Sequence, residues 1–92
     1  MFNKISIIGC GLIGSSILRA VEEKKLATKI AAYDKSSKVI DYLKKNFSVE
    51  ICSNISDVVK DSDLVVIASP LSSYKEILLS IHNSLKENVI LT

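Results

Sequence analysis

A chain of 92 residues, 48% hydrophobic and 24% charged, holds one domain at most, since folded domains usually run about 100 to 200 residues, and its mean hydropathy of +0.32 argues against disorder. Twelve basic against ten acidic residues leave a net charge of +2, with the lysines scattered along helix faces, so no nucleic acid or anionic membrane is called for as a partner. No apolar run approaches the roughly 20 residues of a membrane span, a strand stands where a signal peptide would have its charged and apolar regions, and the two cysteines make neither a disulfide framework nor a metal-ligand spacing. The expected compartment is the cytoplasm, with Cys10 and Cys52 reduced and behaving as small apolar residues.

In chain order, residues 3–8 read as a strand running straight into Gly9. Residues 12–25 follow as a helix with apolar Ile13, Ile17, Leu18 and Val21 on one face and a solvated Glu22-Glu23-Lys24-Lys25 end. Residues 29–33 make a second strand, and 36–46 an amphipathic helix in which Val39, Ile40 and Leu43 recur at helical spacing, with Phe47 beyond. A short third strand covers 49–52. Asn54 can cap a helical turn that reaches Lys60, and Asp61-Ser62-Asp63 then turns the chain into Leu64-Val65-Val66-Ile67-Ala68. That last run has no polar alternation, so it reads as a strand covered on both faces. Pro70 stops it, and Ser73-Tyr74-Lys75-Glu76 has the spacing of a capping box for a helix through about Leu85. Tyr74, Ile77, Leu78, Ile81 and Leu85 share one face of that helix, and a fifth strand begins at 88–92.

Strand and helix alternate with short connections, which predicts an α/β, doubly wound parallel sheet of the Rossmann type. Right-handed crossovers and a reversal after the third strand give the order 3-2-1-4-5. Residues 1–92 then form one dinucleotide-binding domain, incomplete at its C-terminal end. Ligands in such sheets bind where the order reverses, beside Gly9 and Ser69-Pro70-Leu71.

The chemistry is carried by Gly9-Cys10-Gly11-Leu12-Ile13-Gly14, a G-x-G-x-x-G between a strand and a helix, the context in which the motif has meaning. Gly9 makes the tight turn, Gly11 lets the backbone approach a pyrophosphate, and Gly14 lets the helix lie close on the strand. The amides of Leu12 and Ile13, at the positive end of the helix, point at the phosphates. Asp34 follows Gly14 by twenty positions at the tip of the second strand, where an acidic residue accepts the ribose hydroxyls of an adenosine. It would repel a 2′-phosphate, whereas Lys35, Ser36 and Ser37 just after it could hold one, so NAD is the expected cofactor and NADP stays open. Ser69, Pro70 and Leu71 are expected to line the nicotinamide-ribose side, the proline holding Ser69 extended. The plainer alternatives are Asp34 as a solvated strand-end residue or the N-cap of the next helix, and Pro70 as a mere strand stop. His82, the single histidine, reads as a solvated helix position, and Cys10 as a small loop residue and not a redox thiol.

Ile7-Ile8-Gly9-Cys10-Gly11-Leu12-Ile13-Gly14-Ser15-Ser16, Tyr33-Asp34, and Ser62 through Leu71 followed by a Tyr-containing helix together resemble the N-terminal half of prephenate and arogenate dehydrogenases. The wider 6-phosphogluconate-dehydrogenase-like group shares the strand ending in Ala-x-Pro. The resemblance implies an oxidative decarboxylation in tyrosine biosynthesis, in which the cofactor takes a hydride while loss of carboxylate aromatises the ring. It also implies an Asp-x-x-Ser-x-Lys segment, a catalytic His-Pro and a helical, dimerising second domain, none of which is in these residues. Prephenate or arogenate would therefore be a partner only together with that second domain, and the chain alone is expected to be inactive. Other readings are a relative acting on a β-hydroxyacid or an imine, or a non-catalytic dinucleotide-sensing module like the gating domains of potassium transport systems. Val89-Ile90-Leu91 would form an apolar edge strand prone to self-association.

Overall fold

The structure, a computed structural model, describes residues 2–52, 54–69, 71–86 and 89–92, and of residues 12, 13 and 71 only the backbone. The chain runs β1 (Phe2–Ile8), α1 (Leu12–Lys24), β2 (Ala27–Tyr33), α2 (Ser37–Asn46), β3 (Glu50–Ile51), α3 (Ile55–Val59), β4 (Leu64–Ile67), α4 (Leu71–Ile81), a 3₁₀ turn (His82–Ser84) and β5 (Ile90–Leu91). The strands form one sheet in the order β3-β2-β1-β4-β5, every pair parallel, as the alternation of elements predicts. Ile8 is level with Tyr33 on one side and with Ile67 on the other. Gly9, Asp34 and Ala68, the residues after these three, therefore leave the sheet side by side.

The sheet is buried on both faces because its strands alternate between two apolar layers. Ile5 and Ile7 point to the side covered by α1 and α2, where they pack with Leu18, Val21, Ala32 and Leu43. Ile8, Ala31, Val65 and Ile67 point the other way, onto Val58 and Val59 of α3 and Ile81 of α4. Tyr74, Ile77, Leu78 and Leu85 join that second layer, as their shared face requires. A side chain such as Leu18, fully buried, contributes about 1.5–3 kcal/mol of transfer free energy.

Two boundaries of the chain differ from the periodicity. The capping-box reading of Ser73 and Glu76 is wrong: α4 begins at Leu71, so both residues lie inside the helix. The same helix stops at Ile81 and tightens into the 3₁₀ turn, a common way for a last turn to close, while Leu85 still reaches the core from extended backbone. Elsewhere the ends shift by one or two residues. Lys25 leaves α1 through a left-handed φ of 52°, and Asn54 caps α3 by accepting the Ser56 amide at 2.8 Å.

Polar groups also hold the layers together. Within β1 the buried Ser6 hydroxyl donates to the Val58 carbonyl and lies 2.5 Å from the buried Ser62 hydroxyl, supplying one of the carbonyls left open at the end of α3. At the start of β4, the Asp63 carboxylate accepts from the amides of Asn3 at 2.6 Å and Lys4 at 3.2 Å and pairs with Lys86. It thus ties β1, β4 and the segment before β5. The Lys86 ammonium, and after it the Asn3 amide, hold the Asp63 carboxyl below the usual carboxylate range.

A carboxyl depressed in the folded state stabilises the fold above its unfolded value of about 3.9 and loses that contribution as pH falls through the lower folded value. Asp63→Asn should therefore lower the urea midpoint at pH 7. The gap between variant and parent should close as the pH is brought down to about 2.

Candidate functional site

Gly9 turns the chain out of β1 at a φ of +86°, a conformation other residues rarely adopt. A Cβ there would run into the Ser69 hydroxyl and come within 2.9 Å of the Ser69 amide nitrogen. Gly14 is equally constrained, because a Cβ on it would strike the Gly9 carbonyl and touch Ala68. These two glycines are thus demanded by protein against protein. Gly11 is different: its φ of −70° is open to any residue, and a Cβ on it would meet nothing within 4 Å. Its missing side chain leaves free space on the wall of a cavity.

α1 begins directly after Gly11 without a side-chain cap and without an acidic residue in its first turn. The first amides of the helix, from Leu12 on, have no partner in its own hydrogen-bond ladder, and the positive end of its dipole is not offset. Asp34 stands opposite. Its carboxylate accepts the Cys10 amide at 2.8 Å through one oxygen and the Ser36 amide at 2.8 Å through the other. Asp34 therefore tethers the glycine turn to the start of α2, whose N-cap is Ser36. Each oxygen keeps a lone pair for a further donor.

The cavity that Gly9, Gly11 and Asp34 share has a volume of about 720 Å³, within the range of small-molecule sites. Lys35 and Ser69 line it too, and Ile8, Tyr33, Ile55, Ala68 and Ile77 supply apolar surface. Ser73, Glu76 and Ser80 complete the wall, a contribution of α4 that the sequence reading missed. A helical recurrence of polar residues at 73, 76 and 80 is the signal in the sequence that marks this wall. Pro70 lies outside the described residues, and of Leu71 only its place as the first residue of α4 is described.

Cys10 turns its side chain into the α1/α2 layer, 2% exposed. Burial first, and then the charge of Asp34, push its thiol up to about 11, so at neutral pH it is protonated and unreactive. His82 is exposed at the end of α4 and away from the cavity lining. Among the described residues, no group of His, Cys, Asp and Glu is placed to hold a metal ion, and no helix is long and apolar enough to cross a membrane.

The three strand ends, the open space at Gly11 and the uncapped start of α1 fit a nicotinamide dinucleotide, and fold and site together define the cofactor-binding domain of an oxidoreductase. The chain belongs to the family of NADP oxidoreductases described as coenzyme F420-dependent, whose sequence profile matches residues 4–92. It is 34% identical over 92 residues to the cyclohexadienyl dehydrogenase of Zymomonas mobilis, covering 99% of this chain and 31% of that protein. It is 40% identical over 77 residues to the L-aspartate dehydrogenase of Methanocaldococcus jannaschii, covering 80% of this chain and 29% of that protein. The chain thus spans about a third of the length of the curated relatives it matches. Among solved structures, prephenate dehydrogenase from A. aeolicus, in complex with hydroxyphenyl propionate and NAD+, superimposes with a TM-score of 0.86 at 22% identity. That match covers 99% of this chain and 32% of the other. The 3-hydroxyisobutyrate dehydrogenase of Mycobacterium tuberculosis gives 0.88 at 12% identity, covering 99% and 31%, and likenesses at such identities speak for the fold alone.

The glycines should separate in mutagenesis. Gly14→Ala, forced against the Gly9 carbonyl, should cost about 1–3 kcal/mol by overpacking. Gly11→Ala should cost less, about 1 kcal/mol for the poorer N-cap. Urea denaturation of the two variants checks the order, and a reversed order would mean that the helix start is not pressed on the turn.

Proposed function

We propose that this domain binds NAD in preference to NADP and serves as the cofactor half of an enzyme that oxidatively decarboxylates prephenate or arogenate. The observation that carries the cofactor reading is Asp34, its carboxylate facing the cavity beside the empty space at Gly11. In this reading the amides of Leu12 and Ile13 hold the pyrophosphate, Gly11 lets it approach, and Asp34 accepts the ribose hydroxyls. Ser69, Pro70 and Leu71 serve the nicotinamide-ribose side. Two carboxylates, Asp34 and Glu76, against one ammonium, Lys35, line the cavity, a balance that disfavours the roughly two negative charges of a 2′-phosphate. Bound NAD supplies a hydride acceptor. The domain's own residues fix where that acceptor sits, and holding the substrate falls to groups outside these 92 residues.

Support for the substrate comes from the 34% identity to a cyclohexadienyl dehydrogenase across 99% of the chain. A second reading, oxidation of an amino acid, has the 40% identity to an L-aspartate dehydrogenase in its favour. The coding sequence after Thr92 separates them. An Asp-x-x-Ser-x-Lys segment followed by His-Pro is expected under the first reading, and their absence there would overturn it. Self-association belongs to the same proposal, because the edge strand β5 exposes Ile90 and Leu91.

Two measurements test the cofactor site. Gly11→Val, with a branched side chain where the phosphates would lie, should abolish NAD binding in calorimetry, and undiminished binding would displace the pyrophosphate from this turn. Asp34→Ala should weaken NAD by about tenfold or more and raise the affinity for NADP relative to NAD. A parent that already prefers NADP would show that Lys35 and the serines after it dominate. Assayed with prephenate, arogenate or L-aspartate plus NAD, the 92-residue chain should show no steady cofactor reduction, since near-attack placement of the substrate needs further residues. Turnover of about 1 s⁻¹ or more would contradict this.

A further inference from the structure

We infer that the groove between α1 and α2 is a second anion site, apart from the cofactor cavity, in which Arg19 and Tyr42 hold a phosphate group. The groove has a volume of about 330 Å³ and is lined by Gly11, Ser15, Ser16, Arg19 and Tyr42. Gly11 is common to its wall and to that of the cofactor cavity, whereas Arg19 and Tyr42 line the groove alone.

Arg19 is braced but not neutralised. Its guanidinium carbon lies 5.4 Å from the centre of the Phe47 ring, a cation–π contact, and the Tyr42 ring meets Phe47 edge-on at 6.3 Å. Phe47 packs against the core under α1 and α2, so one anchored ring orients both side chains. Among the described residues no carboxylate pairs with Arg19, and Glu22, one turn further along α1, turns its own to the Ser48 amide. A guanidinium is a fork of N–H donors with no acceptor, and the bond Arg19 makes is to the Tyr42 hydroxyl at 3.5 Å, a weak one. Because that hydroxyl accepts, its own hydrogen is left to donate. Ser15 spends its hydrogen on the Cys10 carbonyl at 2.8 Å, so the donors offered to the groove are the fork and the phenol. Lys38 and Lys45, one turn to either side of Tyr42 on α2, are exposed and share its face. With Arg19 they outweigh Glu23, the exposed acid one turn beyond it. A fork, a phenol and excess positive charge suit a doubly charged oxyanion such as phosphate better than a single carboxylate.

The test is NMR titration of the 92-residue chain with inorganic phosphate at constant ionic strength, following the Arg19 side-chain N–H and the rings of Tyr42 and Phe47, with acetate as the comparison. Phosphate should shift these signals saturably with a Kd of about 1 mM, and acetate should bind about threefold or more weakly. Arg19→Gln should weaken phosphate about tenfold, and Tyr42→Phe, which keeps the ring, about threefold. Both side chains are exposed, so circular dichroism of the variants should match the parent's. Phosphate affinity undiminished in both variants would place the anion at the start of α1 and overturn the inference, as would shifts that never saturate or acetate binding as tightly as phosphate. None of these measurements involves NAD, so this inference and the cofactor reading stand or fall separately.

Discussion

A Cβ at Gly14 would land on the carbonyl of Gly9, and one at Gly9 on the hydroxyl and amide of Ser69, so β1, α1 and the chain leaving β4 meet at a junction with no room for a side chain. This close approach brings the start of α1 over the strand ends. The dipole of a 13-residue helix is useful to an anion only within about its first turn, and the junction puts that turn at the crevice. The parallel register does the rest, because Ile8 is level with both Tyr33 and Ile67 and the residues after all three open onto one cavity.

Asp34 converts this backbone arrangement into a site. By accepting the Cys10 and Ser36 amides it joins the turn after β1 to the turn after β2 while leaving acceptor capacity toward the cavity. A carboxylate bonded by backbone amides is held in place before a ligand arrives, and such preorganisation lowers the ordering cost of binding. The N-cap of α2 is Ser36 and not Asp34, so the carboxylate serves as a tether between two turns, and that role is compatible with the ribose acceptance proposed for it. Cys10, between the two glycines, shows the complementary arrangement. Its amide serves the turn while its side chain is part of the core under α1.

The second wall, α4, separates this domain from a generic phosphate-binding turn. It packs Ile81 into the sheet and turns Ser73, Glu76 and Ser80 to the cavity, so one helix both covers the sheet and lines the cavity. Substrate chemistry is a different matter. Relatives about three times as long, with different names, share this third of their length, consistent with a cofactor half that is common and a substrate half that is not.

The sequence by itself determined the alternation of strands and helices, the order of the sheet, the glycine turn and the place of Asp34 at the end of the next strand. Each of these rests on neighbouring residues or on a short fixed spacing: a period of two or 3.6, a glycine where φ is positive, an acid one strand further on. Only the tertiary structure decided where α4 starts and which of its faces meets the cavity. Ser73 and Glu76 have the spacing of a cap wherever they fall, and it took the path of the chain from β4 to place them inside the helix. It likewise decided that Ser6, a polar residue in an apolar strand, finds the Val58 carbonyl and Ser62, and that Asp63 finds Lys86 and the amides of β1. Those partners lie 23 to 60 residues apart in the chain. Local periodicity carries no information about such meetings, because they depend on how the packed layers bring distant segments together.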